Sequence, residues 1–153
     1  MPIVYIGIGS NLGNREKNCL KALSLISAKA GSVRKQSSMY ETKPWGVEDQ
    51  PEFINMAAEI TTEAEPHELL DILKQIEKEM GREETYRWGP RVIDLDILFY
   101  DDLILDTPDL RIPHPLMRER EFVLRPLADI ASDKIHPVLK QTVRELLAQT
   151  ARQ

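Results

Sequence analysis

Between Val92 and Tyr100 the chain reads Val-Ile-Asp-Leu-Asp-Ile-Leu-Phe-Tyr, an apolar segment with two aspartates at alternate positions. A strand sends successive side chains to opposite faces. Ile93, Leu95, Ile97 and Phe99 are therefore expected to face a core. Asp94 and Asp96 turn the other way together, their Cα atoms about 6.6 Å apart from the strand rise. Two adjacent like charges in such a strand repel and resist desolvation. A hard divalent cation offsets both effects. Magnesium takes one or two carboxylates and completes its shell with water and substrate phosphates, and two such ions neutralise charge along an in-line phosphoryl transfer. A solvated strand face, or aspartates paired with nearby arginines, would also explain the pattern, and short motifs often match by accident.

The sequence just upstream adds cations. Arg82 opens a polar loop that ends in Arg87-Trp88-Gly89-Pro90-Arg91. Arginine forks match phosphate oxygens bidentately, so this loop can hold a polyphosphate against the metal-bearing strand. An ordinary charged loop pairing with the aspartates is the plainer alternative.

The rest of the chain places these segments in a fold. Ile3 to Ile8 is a buried strand, with Gly7 and Gly9 on one face beside Ile3 and Tyr5. Small residues there let something approach the backbone closely. Asn14 caps a helix over about 15–30, with Leu20, Leu23 and Ile26 on one side, and Gly31 ends it. Residues 33–42 form a weaker strand, and 44–51 a loop bracketed by prolines. Phe53 to Thr61 alternates, with Ile54, Met56, Ala58 and Ile60 on one face and Phe53, Asn55, Ala57 and Glu59 on the other. Pro66 starts a second helix that runs through Leu69, Leu73, Ile76 and Met80 to Gly81. The order is βαββαβ, the ferredoxin-like pattern of the α+β class, with an antiparallel sheet and helices on one face. Short helices near 116–120 and 126–131 and one near 139–149 are C-terminal additions.

At 153 residues the chain is expected to be a single domain, 1–153. A net charge of −5 argues against a general nucleic-acid binder. The only cysteine, Cys19, excludes an intrachain disulfide and is expected to be a small structural thiol on the apolar face of the first helix. No leader pattern or membrane-spanning apolar stretch is visible, so the expected compartment is the cytoplasm.

Further candidates are fewer. His114, between Pro113 and Pro115, could bond a phosphate or move a proton, although a lone histidine in such a turn is more often structural. Phe53 and Asn55 share a strand face, where a ring and an amide suit a flat heterocycle. His67 and His136 have no chemical context and are expected on the surface or in caps. A phosphate-binding Gly-x4-Gly-Lys-Ser/Thr loop is absent, and Leu12 breaks the dinucleotide fingerprint that Gly7 and Gly9 begin.

Taken together, the segments 5–13, 41–46, 49–55, 76–77, 81–82, 87–98, 113–115 and 120–127 resemble the 6-hydroxymethyl-7,8-dihydropterin pyrophosphokinases of folate biosynthesis, over nearly the whole chain. The resemblance implies transfer of the β,γ-pyrophosphoryl unit of ATP to the pterin hydroxymethyl group, releasing AMP. It implies two magnesium ions on Asp94 and Asp96, with Arg82 and Arg91 joining them in catalysis. Glu77, Arg82, Trp88, Arg91, His114 and Arg120 would serve ATP. Thr42, Trp45, Phe53, Asn55 and Phe122 would serve the pterin, the two phenylalanines sandwiching its ring. The loops at 44–52 and 82–91 would act as lids. The implied partners are these two small molecules, with no nucleic acid and no membrane, on a monomer. Three positions depart from relatives: Glu83 and Glu84 stand where some carry a basic pair, Lys74 where glutamine is frequent, and Phe53 where some have tyrosine. Two other readings are a two-metal phosphodiesterase and a non-catalytic ferredoxin-like ligand-binding module.

Overall fold

A computed structural model describes residues 1–42, 52–81 and 92–150. Its main elements are β1 (Ile3–Ser10), α1 (Arg15–Lys29), β2 (Ser32–Gln36), β3 (Tyr40–Thr42), β4 (Phe53–Thr61), α2 (Pro66–Glu79) and β5 (Asp94–Tyr100). A small hairpin of β6 (Leu105–Asp106) and β7 (Arg111–Ile112) follows, then a 3-10 turn at Met117–Glu119, α3 (Glu121–Ala131) and α4 (Val143–Thr150).

The main sheet runs β2-β4-β1-β5, antiparallel throughout, with β3 paired to β4 beyond the end of β2. That is the arrangement expected from βαββαβ. The expected single strand over 33–42 is two short ones instead, both on β4, and the β6–β7 hairpin was not foreseen.

Local chemistry explains the helix ends. Asn14 Oδ1 accepts the backbone N–H of Lys17 at 3.1 Å, a cap of the kind that stabilises a helix by about 1 kcal/mol. Pro66 occupies the first turn of α2, and Glu65 and Glu68 form a reciprocal capping box with the backbone there. Gly31 follows α1 because a Cβ would stand 2.2 Å from the Thr61 carbonyl oxygen. In α1, Leu23, Ile26 and Cys19 are buried as expected, together with Ala22, whereas Leu20, expected on the same side, is 52% exposed.

Helices cover both faces of the sheet. Val4, Ile6, Ile8, Ile54, Met56, Ile60, Leu95 and Ile97 pack against Cys19, Leu23, Ile26, Leu69, Leu73 and Ile76 of α1 and α2. On the opposite face Tyr5, Ala57, Leu98 and Phe99 pack against Met117, Leu124, Leu127, Val143 and Leu146. The C-terminal helices thus form a second core. Gly9, Asn55 and Asp94 lie in one row on the same face, four positions along β1 from Tyr5. The two short helices expected near 116–120 and 126–131 are a 3-10 turn and one continuous α3, with Pro126 inside it.

One irregularity corrects the alternation in β5. Gly9 pairs with Asp94, Gly7 with Asp96 and Ile6 with Ile97, but Tyr5 pairs with Phe99, leaving Leu98 as an extra residue. Such a bulge puts two consecutive side chains on one side. Phe99 therefore joins Tyr5 in the second core, their rings edge to face at 6.2 Å, rather than Ile93, Leu95 and Ile97 in the first.

Candidate active site

The candidate residues on the strands meet across the sheet. Paired residues in an antiparallel ladder put their side chains on the same face. Asp94 pairs with Gly9, Gly9 with Asn55, and Asn55 with Tyr40. One row away Asp96 pairs with Gly7 and Gly7 with Ala57, and on the other side Phe53 pairs with Thr42. The two aspartates and the Phe53–Asn55 pair therefore share one face, two strand spacings or about 10 Å apart.

The glycine between them decides how the amide lies. A Cβ at Gly9 would stand 2.8 Å from Asn55 Oδ1 and 3.5 Å from Phe53 Cδ1. The Asn55 side chain and the edge of the Phe53 ring thus occupy the space that glycine vacates. The close approach anticipated over this strand is made by the protein itself.

His114 and Arg120 reach the carboxylates from the chain after β7. The His114 backbone N–H donates to the carbonyl oxygen of the bulge residue Leu98 at 3.1 Å, and its own carbonyl accepts from Met117 N at 3.2 Å. The bulge therefore also anchors the histidine. His114 Nδ1 accepts the Leu116 backbone N–H at 3.3 Å, which leaves the proton on Nε2. Burial pushes the imidazole down to about pKa 4, the Arg120 cation pushes the same way, and Asp94 opposes. The ring is neutral at ordinary pH and can donate from Nε2. Arg120 closes the 3-10 turn and precedes α3. Burial lowers its pKa, while Asp96 first and then Asp94 hold it up. Guanidinium stays charged through such shifts, so a cation faces two carboxylates. Its Cζ also stands 5.5 Å from the centre of the Phe122 ring in the first turn of α3.

Glu77, expected among the ATP contacts, is 5% exposed, and its Oε2 accepts the Leu95 backbone N–H at 2.9 Å. It reaches the site through the strand that carries Asp94 and Asp96. Thr42 is placed by its strand pairing. Arg82, Trp88, Arg91 and Trp45, with the loops at 44–51 and 82–91, lie outside the described residues. His136 is a cap, as expected: its Nδ1 accepts the N–H groups of Val138 and Leu139 at 3.2 and 3.0 Å. Cys19 is fully buried, as expected.

Among the described residues no group of three or more His, Cys, Asp and Glu side chains could enclose a metal. Among the described residues a pair of half-buried carboxylates beside a cation does not make a closed structural site. It matches the donor set of magnesium, which keeps waters and borrows phosphate oxygens from a substrate. The residues fit that ion.

Comparison with known proteins agrees with the geometry. The family model described as 7,8-dihydro-6-hydroxymethylpterin-pyrophosphokinase matches residues 5–132. A Bacillus subtilis protein named 2-amino-4-hydroxy-6-hydroxymethyldihydropteridine pyrophosphokinase is 51% identical over 129 residues, 84% of this chain and 77% of that protein. One of the same name from Aquifex aeolicus is 41% identical over 145 residues, 95% of this chain and 90% of that protein. A folic acid synthesis protein from Dictyostelium discoideum is 49% identical over 144 residues, and there the chain spans only 22% of its relative. A crystal structure of an HPPK-DHPS protein in complex with substrates superposes with a TM-score of 0.78 at 18% identity, covering 99% of this chain and 44% of that one. At that identity the structural match speaks to the fold.

Proposed function

Because the chain belongs to the 7,8-dihydro-6-hydroxymethylpterin-pyrophosphokinase family, we propose that Asp94 and Asp96 hold two magnesium ions at the phosphate end of its site, and that Phe53, Asn55 and Phe122 hold the pterin. The activity is ATP-dependent diphosphotransfer in folate biosynthesis. The hydroxymethyl oxygen of 6-hydroxymethyl-7,8-dihydropterin forms a bond to the β-phosphorus of ATP. The bond from that phosphorus to the bridging oxygen of AMP breaks, and the hydroxyl proton leaves to phosphate or solvent.

The strand pairing Asp94–Gly9–Asn55 carries the assignment of residues. It supports a phosphate-binding end and a heterocycle-binding end on one face, about 10 Å apart, within the reach of a pterin extended by two phosphates. Magnesium bound to the aspartates would supply charge neutralisation on the phosphates. Arg120 adds a fixed cation there, and the neutral His114 adds an Nε2–H donor. Phe53 stacks on the pterin, opposed by Phe122, while Asn55 and Thr42 bond its edge. Arg82, Arg91 and Trp88 on one loop and Trp45 on the other complete the phosphate and pterin contacts in this proposal and exclude water. No step here needs a strong general base.

We further propose a single monomeric domain acting in the cytoplasm. Among the described residues no helix is long and apolar enough to cross a membrane.

The test is AMP release from ATP and 6-hydroxymethyl-7,8-dihydropterin by the wild-type chain and by Asp96→Ala. Wild type is expected to be active and the variant weaker by a factor of roughly a thousand or more, as when the charge stabilisation of a phosphoryl transfer is removed. An Asp96→Ala chain within about tenfold of wild type would overturn the metal assignment. A wild-type chain that binds the pterin without forming AMP would instead support a non-catalytic module.

A further inference from the structure

The pterin assignment needs two walls at a fixed spacing, Phe53 and Asn55 on β4 and Phe122 on α3, and one side chain ties those walls together. The carboxylate of Asp129, near the end of α3, accepts the Tyr40 hydroxyl at 2.8 Å on Oδ1 and 2.9 Å on Oδ2. Its Oδ2 also accepts the Ser38 backbone N–H at 3.1 Å. Tyr40 is the residue of β3 that pairs with Asn55. Phe122 and Asp129 are seven residues apart, nearly two full helical turns, and so lie on one stripe of α3. The stripe that presents Phe122 is thereby fixed to the strand that flanks Asn55.

We propose that Asp129 is a positioning residue for the pterin: through Tyr40 and Ser38 it sets the distance between α3 and the β3–β4 edge, and with it the width of the slot between Phe53 and Phe122. This rests on the reading that those residues take the pterin. The chemistry favours a carboxylate. Tyr40 and Ser38 both present donors, Oδ2 is within hydrogen-bond distance of both and Oδ1 also faces the Tyr40 hydroxyl, so the bonds are charge-assisted. Asparagine keeps one acceptor oxygen but loses the charge and puts an NH2 donor in place of the second oxygen. The bonds are solvent-exposed, where a hydrogen-bonded contact adds little to global stability. A geometric role is therefore separable from a merely structural one.

The experiment uses the full chain with Asp129→Ala, Asp129→Asn, Tyr40→Phe, Phe53→Ala and Phe122→Ala. For each, KM is measured for the pterin and for ATP, with kcat and the unfolding temperature. Asp129→Ala is expected to raise the pterin KM about tenfold, the size of one lost charge-assisted hydrogen bond. KM for ATP is expected to stay within about twofold, with the unfolding temperature little changed. Asp129→Asn and Tyr40→Phe should give intermediate rises. In a Phe122→Ala background Asp129→Ala should add almost nothing, because the wall it positions is gone. An unchanged pterin KM in Asp129→Ala, parallel rises in both KM values, or full additivity with Phe122→Ala would overturn the proposal. If Phe53→Ala and Phe122→Ala themselves leave the pterin KM unchanged, the slot assignment falls and takes this proposal with it. If they raise it and Asp129→Ala does not, only the positioning role falls.

Discussion

The carboxylate of Glu77 accepts the backbone N–H of Leu95, the residue between Asp94 and Asp96, at 2.9 Å. Among the described residues β5 is an edge strand with β1 as its one neighbour in the sheet, so every second N–H along it points away from the ladder. A buried N–H of that kind must find a partner. Here a helix side chain takes the place of the missing strand and fixes the peptide on which both aspartates hang.

That relationship predicts two effects of Glu77→Ala. The orphaned amide should cost about 1–3 kcal/mol of folding stability, read by chemical denaturation. The looser support of the aspartates should weaken the magnesium response of AMP release by about 10–100-fold, the usual scale for groups that orient metal ligands. Glu77→Gln keeps an acceptor and should retain more of both. An alanine variant with the wild-type magnesium curve would show that Glu77 does not support the aspartates.

Gly9→Ala is expected to act on the pterin. The new methyl would start 2.8 Å from Asn55 Oδ1, so the amide must swing away from its place over β1. The backbone has no need of glycine's special conformations at this position, so the fold should survive. The expected result is a pterin KM raised by about tenfold, one mispositioned hydrogen-bonding group, with ATP binding unaffected. An unchanged pterin KM would remove Asn55 from the site.

What could be read from residues alone follows from how local each signal is. Periodicity and caps located α1, α2, β1 and β4, because Asn14, Pro66 and the alternation in 53–61 act within a few residues. The Asp94–Asp96 face was legible for the same reason. The bulge at Leu98 was not, since an extra residue in one strand shows only against its partner, and it moved Phe99 to the other face. The exposure of Leu20 at the margin of the α1 stripe depends on the angle at which the helix meets the sheet. The support of the site was hidden for a related reason. Glu77 to Leu95 and Asp129 to Tyr40 span 18 and 89 positions in sequence, and nothing in either residue's neighbourhood announces its partner.

Cys19 should be inert in the native protein. Burial raises its thiol to about pKa 11, and Glu16 adds to the rise. The native state thus prefers the protonated thiol. Its contribution to stability is complete below pH 9, the ordinary thiol value here, and is lost as pH rises toward 11. A thiol-reactive disulfide reagent at pH 8 should label the native chain far more slowly than the chain in denaturant. Equal rates would mean that the helix face is open.

His114 carries the prediction with the clearest sign. Its pKa is pushed down to about 4, first by burial and then by Arg120, with Asp94 opposing. The unfolded chain therefore takes up a proton near pH 6.5 that the native chain refuses until about pH 4. The stabilising contribution of the neutral ring is complete above 6.5 and is lost as pH falls toward 4. Nitrogen-detected NMR of the ligand-free chain should show the Nε2–H tautomer at pH 7, because Nδ1 accepts from Leu116, and a titration midpoint near 4. For the reaction, His114→Ala should lower activity by about 10–100-fold, the scale of one lost donor to developing phosphate charge, without moving the pH dependence between 6 and 8. A midpoint between 6 and 7, or a pH limb that disappears with the histidine, would make His114 a proton-transfer group in place of a neutral donor.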